Sequence, residues 1–420
     1  MTGPARSAER AARTSYGRLL ALLAVRTGDL ADAEDALADA FERALTRWPV
    51  DGVPANPDAW LMTVARNRLR DLWKSAGRRH ATEWPADLEP PAPIATDPAA
   101  GVGTIEDRRL ELLLVCAHPA IDETIHTPLM LNTVLGCTAA DIATAFALPP
   151  ATLAARLVRA KRRIRQTRIP FRIPDASALP TRLDAVLQAV YGAYAIDWST
   201  GTRERIGLAG EASHLADTAA ELTDDPEALG LAAMINFSGA RLAARRAPDG
   251  RYVPLEDQDP TDWDGELILR ARAQLRRAHE LQLNRGRVAL GRFQLEAAIQ
   301  AVHCARWDRP DADPDTSILV RLHGALAELA PGLGTATALA AAIGEHAGPA
   351  AGLDHLDRYV VVLPGASRFQ PAWATRAHLL ARAGAMADAV AAVSTAIDLT
   401  HEAGERAHLM AQRERWSARS

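Results

Sequence analysis

Residues 138–165 read TAADIATAFALPPATLAARLVRAKRRIR, and this stretch decides the fold. Thr138, followed three residues on by Asp141, is a helix-opening signature, and Ile142, Ala143 and Phe146 form the inward side of the short helix it starts. Leu148-Pro149-Pro150 breaks that helix, because a proline has no N–H and its ring crowds the preceding turn; Pro150 then suits the first position of a second helix. The second helix runs to about Arg165, with Leu153, Leu157, Ala160 and Ile164 sharing one face. Thr152, Ala155, Arg156, Arg159, Arg162 and Arg163 are left outward. Short helix, tight turn and longer helix make a helix-turn-helix pattern, with short side chains first and a phosphate-binding end after them.

Working outward, the same period of 3.6 recurs. Leu19, Leu20, Leu22 and Leu23, then Ala33, Leu37, Ala40, Phe41, Ala44, Leu45 and Trp48, predict two helices over 15–48. Residues 49–57 carry three prolines and Gly52 and are expected as a loop. A third, basic helix follows, with Trp60, Leu61, Val64, Ala65, Leu69 and Leu72 on one face and Arg66, Arg68, Arg70 and Lys74 mostly around the other. Residues 84–103, rich in Pro, Ala and Asp without periodicity, are expected as a linker, and so are 170–180. From 182 onward the chain reads as helix after helix, with breaks at 249–250, 310–314, 331–334 and 364–365. Ala377, Leu380, Gly384, Ala389, Val393 and Ala396 fall on the spacing of a tetratricopeptide-type hairpin. Few aromatic residues and few β-branched runs accompany this pattern, so the expected class is all-α.

Charge becomes informative once the chain is divided. Residues 1–180 hold 23 Lys+Arg against 21 Asp+Glu, yet the signs are segregated: 28–42 contain six acids and no base, 60–80 six bases and one acid, 151–172 eight bases and no acid. One acidic docking surface and two basic ones follow, the latter being what a phosphate backbone attracts. Cys116, Cys137 and Cys304 are odd in number and lack Cys-x-x-Cys spacing, which argues against a disulfide framework and a zinc site; a reducing cytoplasm fits. No run is apolar and long enough to span a bilayer, and no cofactor or metal is expected. No convergent catalytic set is legible in 182–420, so the expected protein is not an enzyme.

Asp32-Ala-Glu-Asp-Ala-Leu-Ala-Asp-Ala-Phe41, Asn56-Pro-Asp-Ala-Trp-Leu61, the proline-rich linker and the helix-turn-helix stand in an order that resembles the extracytoplasmic-function sigma factors of the sigma-70 family. Leu112-Leu-Leu-Val-Cys-Ala-His-Pro-Ala120, Arg156-Leu-Val-Arg-Ala-Lys161 and Ile169-Pro-Phe-Arg-Ile-Pro174 are similar to the subgroup with a C-terminal tetratricopeptide-like helical extension. Pro226-Glu-Ala-Leu-Gly230, Leu255-Glu-Asp-Gln-Asp259 with Trp263, and Phe293-Gln-Leu-Glu-Ala-Ala298 are too. Where that subgroup has two adjacent cysteines, this chain has Cys116-Ala117, and 331–352 fit its repeat region loosely.

The resemblance implies a sigma-2-like domain over 1–80, a flexible linker over 81–104, a sigma-4-like helix-turn-helix domain over 105–172 and a tetratricopeptide-like helical domain over 181–420. It implies binding of core RNA polymerase and promoter-specific initiation of transcription. Asp32, Glu34, Asp35 and Asp39 would dock on polymerase; Asn56, Arg66, Arg68, Arg70 and Lys74 would meet the −10 element; Thr152, Ala155, Arg156, Arg159, Arg162 and Arg163 would meet the −35 element. The C-terminal domain would regulate the factor or bind a protein or small-molecule partner. The competing class is a free-standing helix-turn-helix regulator with a helical ligand-binding domain, which needs no acidic polymerase-docking helix.

Overall fold

In the computed structural model, residues 3–79, 107–146, 148–175, 177–200, 208–286, 289–310, 313–400 and 402–419 are described. The linker expected over 81–104 lies outside them. The protein is all-α: no strand occurs among the described residues, and one isolated bridge joins Arg246 to Tyr252. The chain divides into two compact units, one of 1–197 with 204–215, the other of 198–203 with 216–420.

The first unit begins with α1 (Gly3–Thr27), α2 (Leu30–Asp51) and α3 (Pro57–Arg79). Gly28 at φ +67° allows the tight turn between α1 and α2, and the Asp29 carboxylate caps α2 by accepting the N–H of Ala31 at 2.8 Å and of Asp32 at 3.2 Å. The loop expected from 49 begins three residues later. Pro49 lies inside α2, near its end, where the one hydrogen bond it removes costs little; Gly52 at φ +86° then closes the helix by donating to the Trp48 carbonyl at 3.1 Å. Leu19, Leu20, Leu23, Leu37, Trp48, Leu61 and Leu69 form the core, with Trp48 edge-on to Trp60 at 5.6 Å.

Next come α4 (Arg109–Cys116), α5 (His126–Thr133), α6 (Ala139–Ala145), α7 (Pro150–Thr167) and α8 (Leu179–Thr200). Helix α4 is buried all round, as its sequence RLELLLVC demands, and packs on α1 and α5. Thr138 and Asp141 satisfy each other at the start of α6: Asp141 N–H donates to Thr138 Oγ1 at 3.1 Å, and Thr138 Oγ1–H donates to the carboxylate at 2.6 Å. Helix α7 starts at Pro150 and buries Leu153, Leu157, Ala160 and Ile164, the four residues that its periodicity selects. Phe146, expected inward, is 41% exposed.

The second unit is built around α10 (Pro226–Ala240), which follows α9 (Leu208–Thr223), is buried on nearly every side, and is flanked by α11 (Gly265–Asn284) and α12 (Arg292–Cys304). Then come α13 (Thr316–Leu329), α14 (Leu333–Ala347), α15 (Pro349–His355), α16 (Gln370–Arg382), α17 (Met386–Leu399) and α18 (Ala403–Ser417). Each packs mainly on its neighbours in sequence, as in a helical array. The turn between α16 and α17 uses Gly384 at φ +81°, and Ala377, Val393 and Ala396 lie at the contact, where small side chains let the two helices approach.

Candidate nucleic-acid interface

The acidic residues of α2 occupy two environments. Asp35 is exposed, and Asp39 is paired with Arg43 one turn on, 3.1 Å away. Asp32 is partly covered; burial pushes its carboxyl up, the neighbouring charge of Asp29 adds to the rise, and Arg165 opposes it. Glu34 accepts from the Lys161 ammonium at 2.6 Å, with both side chains about one-fifth exposed. Leu37 is fully buried and Phe41 stacks against Tyr16 with centroids 6.3 Å apart, so the apolar side of α2 is spent on its own domain and the acids are turned away from it.

On α3 the basic residues are unequal. Arg68 is exposed, Arg70 donates to Asn67 Oδ1 at 3.1 Å, and Arg66 is half-buried, its guanidinium pKa lowered by burial and by the nearby charge of Arg26. Asn56 caps α3, its Oδ1 accepting the Ala59 N–H at 3.0 Å, so it positions the helix. Lys74 lies on α3, its side chain outside the described ones.

On α7 the outward face divides into a centre and two flanks. Thr152, Ala155, Val158, Arg159 and Arg162 are exposed. On one flank Arg156 donates to Thr124 Oγ1, with Asp122 at 3.9 Å, and Arg163 Nε donates to the Ala120 carbonyl at 3.2 Å. Both arginines are thereby oriented along the loop that precedes α5. On the other flank Lys161 meets Glu34 and Arg165 Nε meets Asp29 Oδ2 at 3.1 Å. Helical periodicity names the outward side of α7 but carries no information on which element each flank meets, so sequence reasoning missed the pairing of Lys161 and Arg165 with α2.

A second polar cluster joins the start of α4 to α9. Asp107 accepts from Arg109 and, at 2.8 Å, from His214 Nε2, while Arg109 also pairs with Glu211. Burial opposes ionisation of Asp107, but the hydrogen bonds from His214 and Arg109 and the Arg109 charge outweigh it and hold the carboxyl far below the ordinary range. Cys116 is fully buried beside Thr133, and burial pushes its thiol up to about 12. The second unit holds a cavity of about 520 Å³ walled in part by Tyr252, Glu345, His378, Glu405 and His408.

Residues 12–79, which span α1 to α3, match the sigma-70 region 2 family, and 182–279 match a family of unknown function. An uncharacterised protein of Rhizobium meliloti is 32% identical over 391 residues, covering 90% of this chain and 89% of that protein. The ECF RNA polymerase sigma factor SigJ of Mycobacterium tuberculosis is 36% identical over 103 residues, 24% of this chain and 32% of SigJ. No solved structure matches.

Proposed function

From a chain that belongs to one family with the rhizobial protein and carries a sigma-70 region 2 domain, we propose a sigma factor of the extracytoplasmic-function type that directs core RNA polymerase to promoters. The observation that carries this reading is the coincidence of the region 2 match with the three helices whose acidic and basic faces are segregated. Asp35 and Asp39, with Asp32 and Glu34, dock on a basic surface of polymerase, where charge complementarity speeds encounter and fixes orientation. Arg66, Arg68, Arg70 and Lys74 hold the strand of the −10 element, and Asn56 fixes the helix that carries them. Helix α7 reads the −35 element, with Thr152, Ala155 and Arg156 nearest base edges and Arg159, Arg162 and Arg163 on phosphate.

The C-terminal helical domain, tetratricopeptide-like in its hairpin spacing, regulates this activity or binds a partner. The protein acts in the cytoplasm and carries no covalent chemistry of its own.

The test is the affinity of the purified protein for core RNA polymerase, beside Asp35→Arg/Asp39→Arg, over a salt series. Binding that is lost in the double variant supports the reading. Absence of binding by the unmodified protein, with retained affinity for duplex DNA, points instead to a free-standing regulator.

A further inference from the structure

Arg241, Arg245 and Arg246 stand close together in sequence where α10 ends, and two of them have an acid each. Arg246 meets Glu402 at 3.0 Å and Arg245 meets Glu405 at 3.5 Å, the acids lying at the start of α18. Arg241, which closes α10, has neutral partners: its Nε donates to the Phe237 carbonyl at 3.4 Å and its Nη2 to Gln300 Oε1 on α12. Among the described residues no carboxylate pairs with it, although it is only 9% exposed. A guanidinium taken out of water without a counter-charge is costly, and buried charges in proteins are paired as a rule.

The groups beside Arg241 supply no negative charge. Gln300 and His303 stand one turn apart on α12, and Cys304 Sγ shares the Phe237 carbonyl with Arg241 at 3.8 Å. His323 lies on α13, which packs on α12, and its buried Nδ1 has no hydrogen-bond partner. Burial, then the charges of Arg241, His323 and Arg306, push the His303 imidazole down to about 4. Arg306 in turn spends its guanidinium on the Leu255 and Gln258 carbonyls at 2.9 and 3.3 Å. Gln300, His303 and His323 are each partly exposed, so the cluster opens to solvent with Arg241 at its base.

We propose that this cluster between α10, α12 and α13 binds a small oxyanion, a carboxylate or a phosphoryl group, held by Arg241 and flanked by Gln300, His303 and His323. The hydrogen bonds of Arg241 use Nε and Nη2, which leaves Nη1 for the ligand. A guanidinium offers its N–H groups in a planar fork that matches the oxygens of either anion. The bound anion supplies the missing counter-charge and draws the two imidazoles toward their protonated, donating form. The inference deepens the reading of the C-terminal domain as one that binds a partner, and it rests on that reading alone, not on the docking of polymerase or DNA.

The test follows the imidazole C–H signals of His303 and His323 in the full chain by nuclear magnetic resonance, assigned by their loss in His303→Asn and His323→Asn. Inorganic phosphate or acetate replaces chloride at constant ionic strength and neutral pH. Both signals are expected to shift saturably with at least one of the two anions and to stay in place in Arg241→Gln. Arg246→Gln, which breaks a paired arginine nearby, should keep the response. A lower midpoint for phosphate assigns a phosphoryl ligand, and a lower midpoint for acetate a carboxylate. Signals that neither anion moves in the unmodified chain overturn the proposal, as do shifts of equal size and midpoint in Arg241→Gln. If Arg241→Gln shows no cooperative melting, Arg241→Lys takes its place, since it keeps the charge without the fork. The midpoint concentration is then expected to rise about fivefold, and an unchanged midpoint overturns the proposal. Binding of polymerase enters neither arm, so the sigma-factor reading stands or falls separately.

Discussion

The Glu227 carboxylate on α10 accepts the backbone N–H of Phe293 at 2.9 Å, across 66 residues of sequence. Its other oxygen accepts the N–H and the side-chain amide of Gln294, both at 3.2 Å. Helix α12 begins after Gly291, which has no side chain to cap it, and a Cβ there would meet Glu227 at 2.3 Å. Glu227 is thus the cap of a helix it does not belong to, placed where the helix dipole favours negative charge. Gly230, one turn along α10, permits the approach, since a Cβ at that position would stand 2.7 Å from the Gln294 nitrogen.

Replacing Glu227 by Ala is expected to leave two buried N–H groups unpaired and to cost about 2 kcal/mol of second-unit stability. Glu227→Gln keeps one acceptor and should cost roughly half as much. Urea titrations of the two variants check this, and equal losses would show that charge, not capping, is what α12 requires. Burial pushes the Glu227 carboxyl up despite its donors. With the folded value raised, its contribution is fully present below the unfolded carboxylate value and declines as pH rises through the folded one.

Sequence reasoning had both halves of this contact without their relation. Pro226-Glu-Ala-Leu-Gly230 and Phe293-Gln-Leu-Glu-Ala-Ala298 were expected only as family-like segments, because spacing along a chain says nothing about which helix end lacks a cap. The buried face of α7 was legible to the residue, since a period of 3.6 and two prolines suffice for it. Pro49 misled: a proline forbids a helix interior, but near the end of α2 the lost bond matters little, and the break waits for Gly52. Helix α4 falls at the start of the domain expected over 105–172, yet its buried Arg109 and Glu111 follow from partners that no local pattern names.

The Asp107–His214 pair should make first-unit stability depend on pH in a defined window. Asp107 is held below its ordinary 3.8, so its contribution is present above that value and is lost as pH falls. His214 is raised above 6.5 by its hydrogen bond to Asp107, so its contribution is present below 6.5 and disappears as pH rises through the folded value. The stability difference between the unmodified protein and His214→Ala is therefore expected to be largest between the ordinary carboxylate and imidazole values, near about pH 5, and to shrink as pH rises above the ordinary imidazole value. A difference that stays constant over that range, measured by denaturant unfolding, rules out the charge on His214 as the source of the pair's stability.

Arg109 serves two carboxylates, Asp107 and Glu211, with 6% of its side chain exposed. Removing it leaves both acids partly buried without their cation, so Arg109→Ala should cost about 3–5 kcal/mol, far more than a surface ion pair is worth. If the added Asp107→Asn restores much of the loss, uncompensated charge is the cause; if it restores none, the missing packing of the arginine is.

Thiol reactivity should separate the three cysteines. Cys116 and Cys304 are buried and burial pushes both thiols up, that of Cys116 to about 12, whereas Cys137 is partly exposed with its thiol at about 11. Iodoacetamide at neutral pH is expected to modify Cys137 slowly and the other two only after unfolding, read by intact-mass spectrometry. Rapid modification of Cys116 in the folded protein would mean that α4 is not held in the core as described.

The last expectation follows from the unequal arginines of α7. Arg162 is exposed and has no partner among the described residues, so it is available to a phosphate without prior cost. Arg156 is folded onto Thr124 and Asp122 with 23% of its side chain exposed, and must leave those partners before it can touch DNA. Each phosphate contact releases bound counterions and adds nearly one unit to the salt dependence of duplex affinity. In a titration of purified full chain against an unspecific duplex over a salt series, Arg162→Ala should lower the slope by about one unit and weaken binding at every salt concentration. Arg156→Ala should change the slope by clearly less, because the contact it could make is partly offset by the intramolecular one it already has. Equal slopes for the two variants would mean that DNA pulls Arg156 free at little cost, and that the loop before α5 yields as α7 enters the groove.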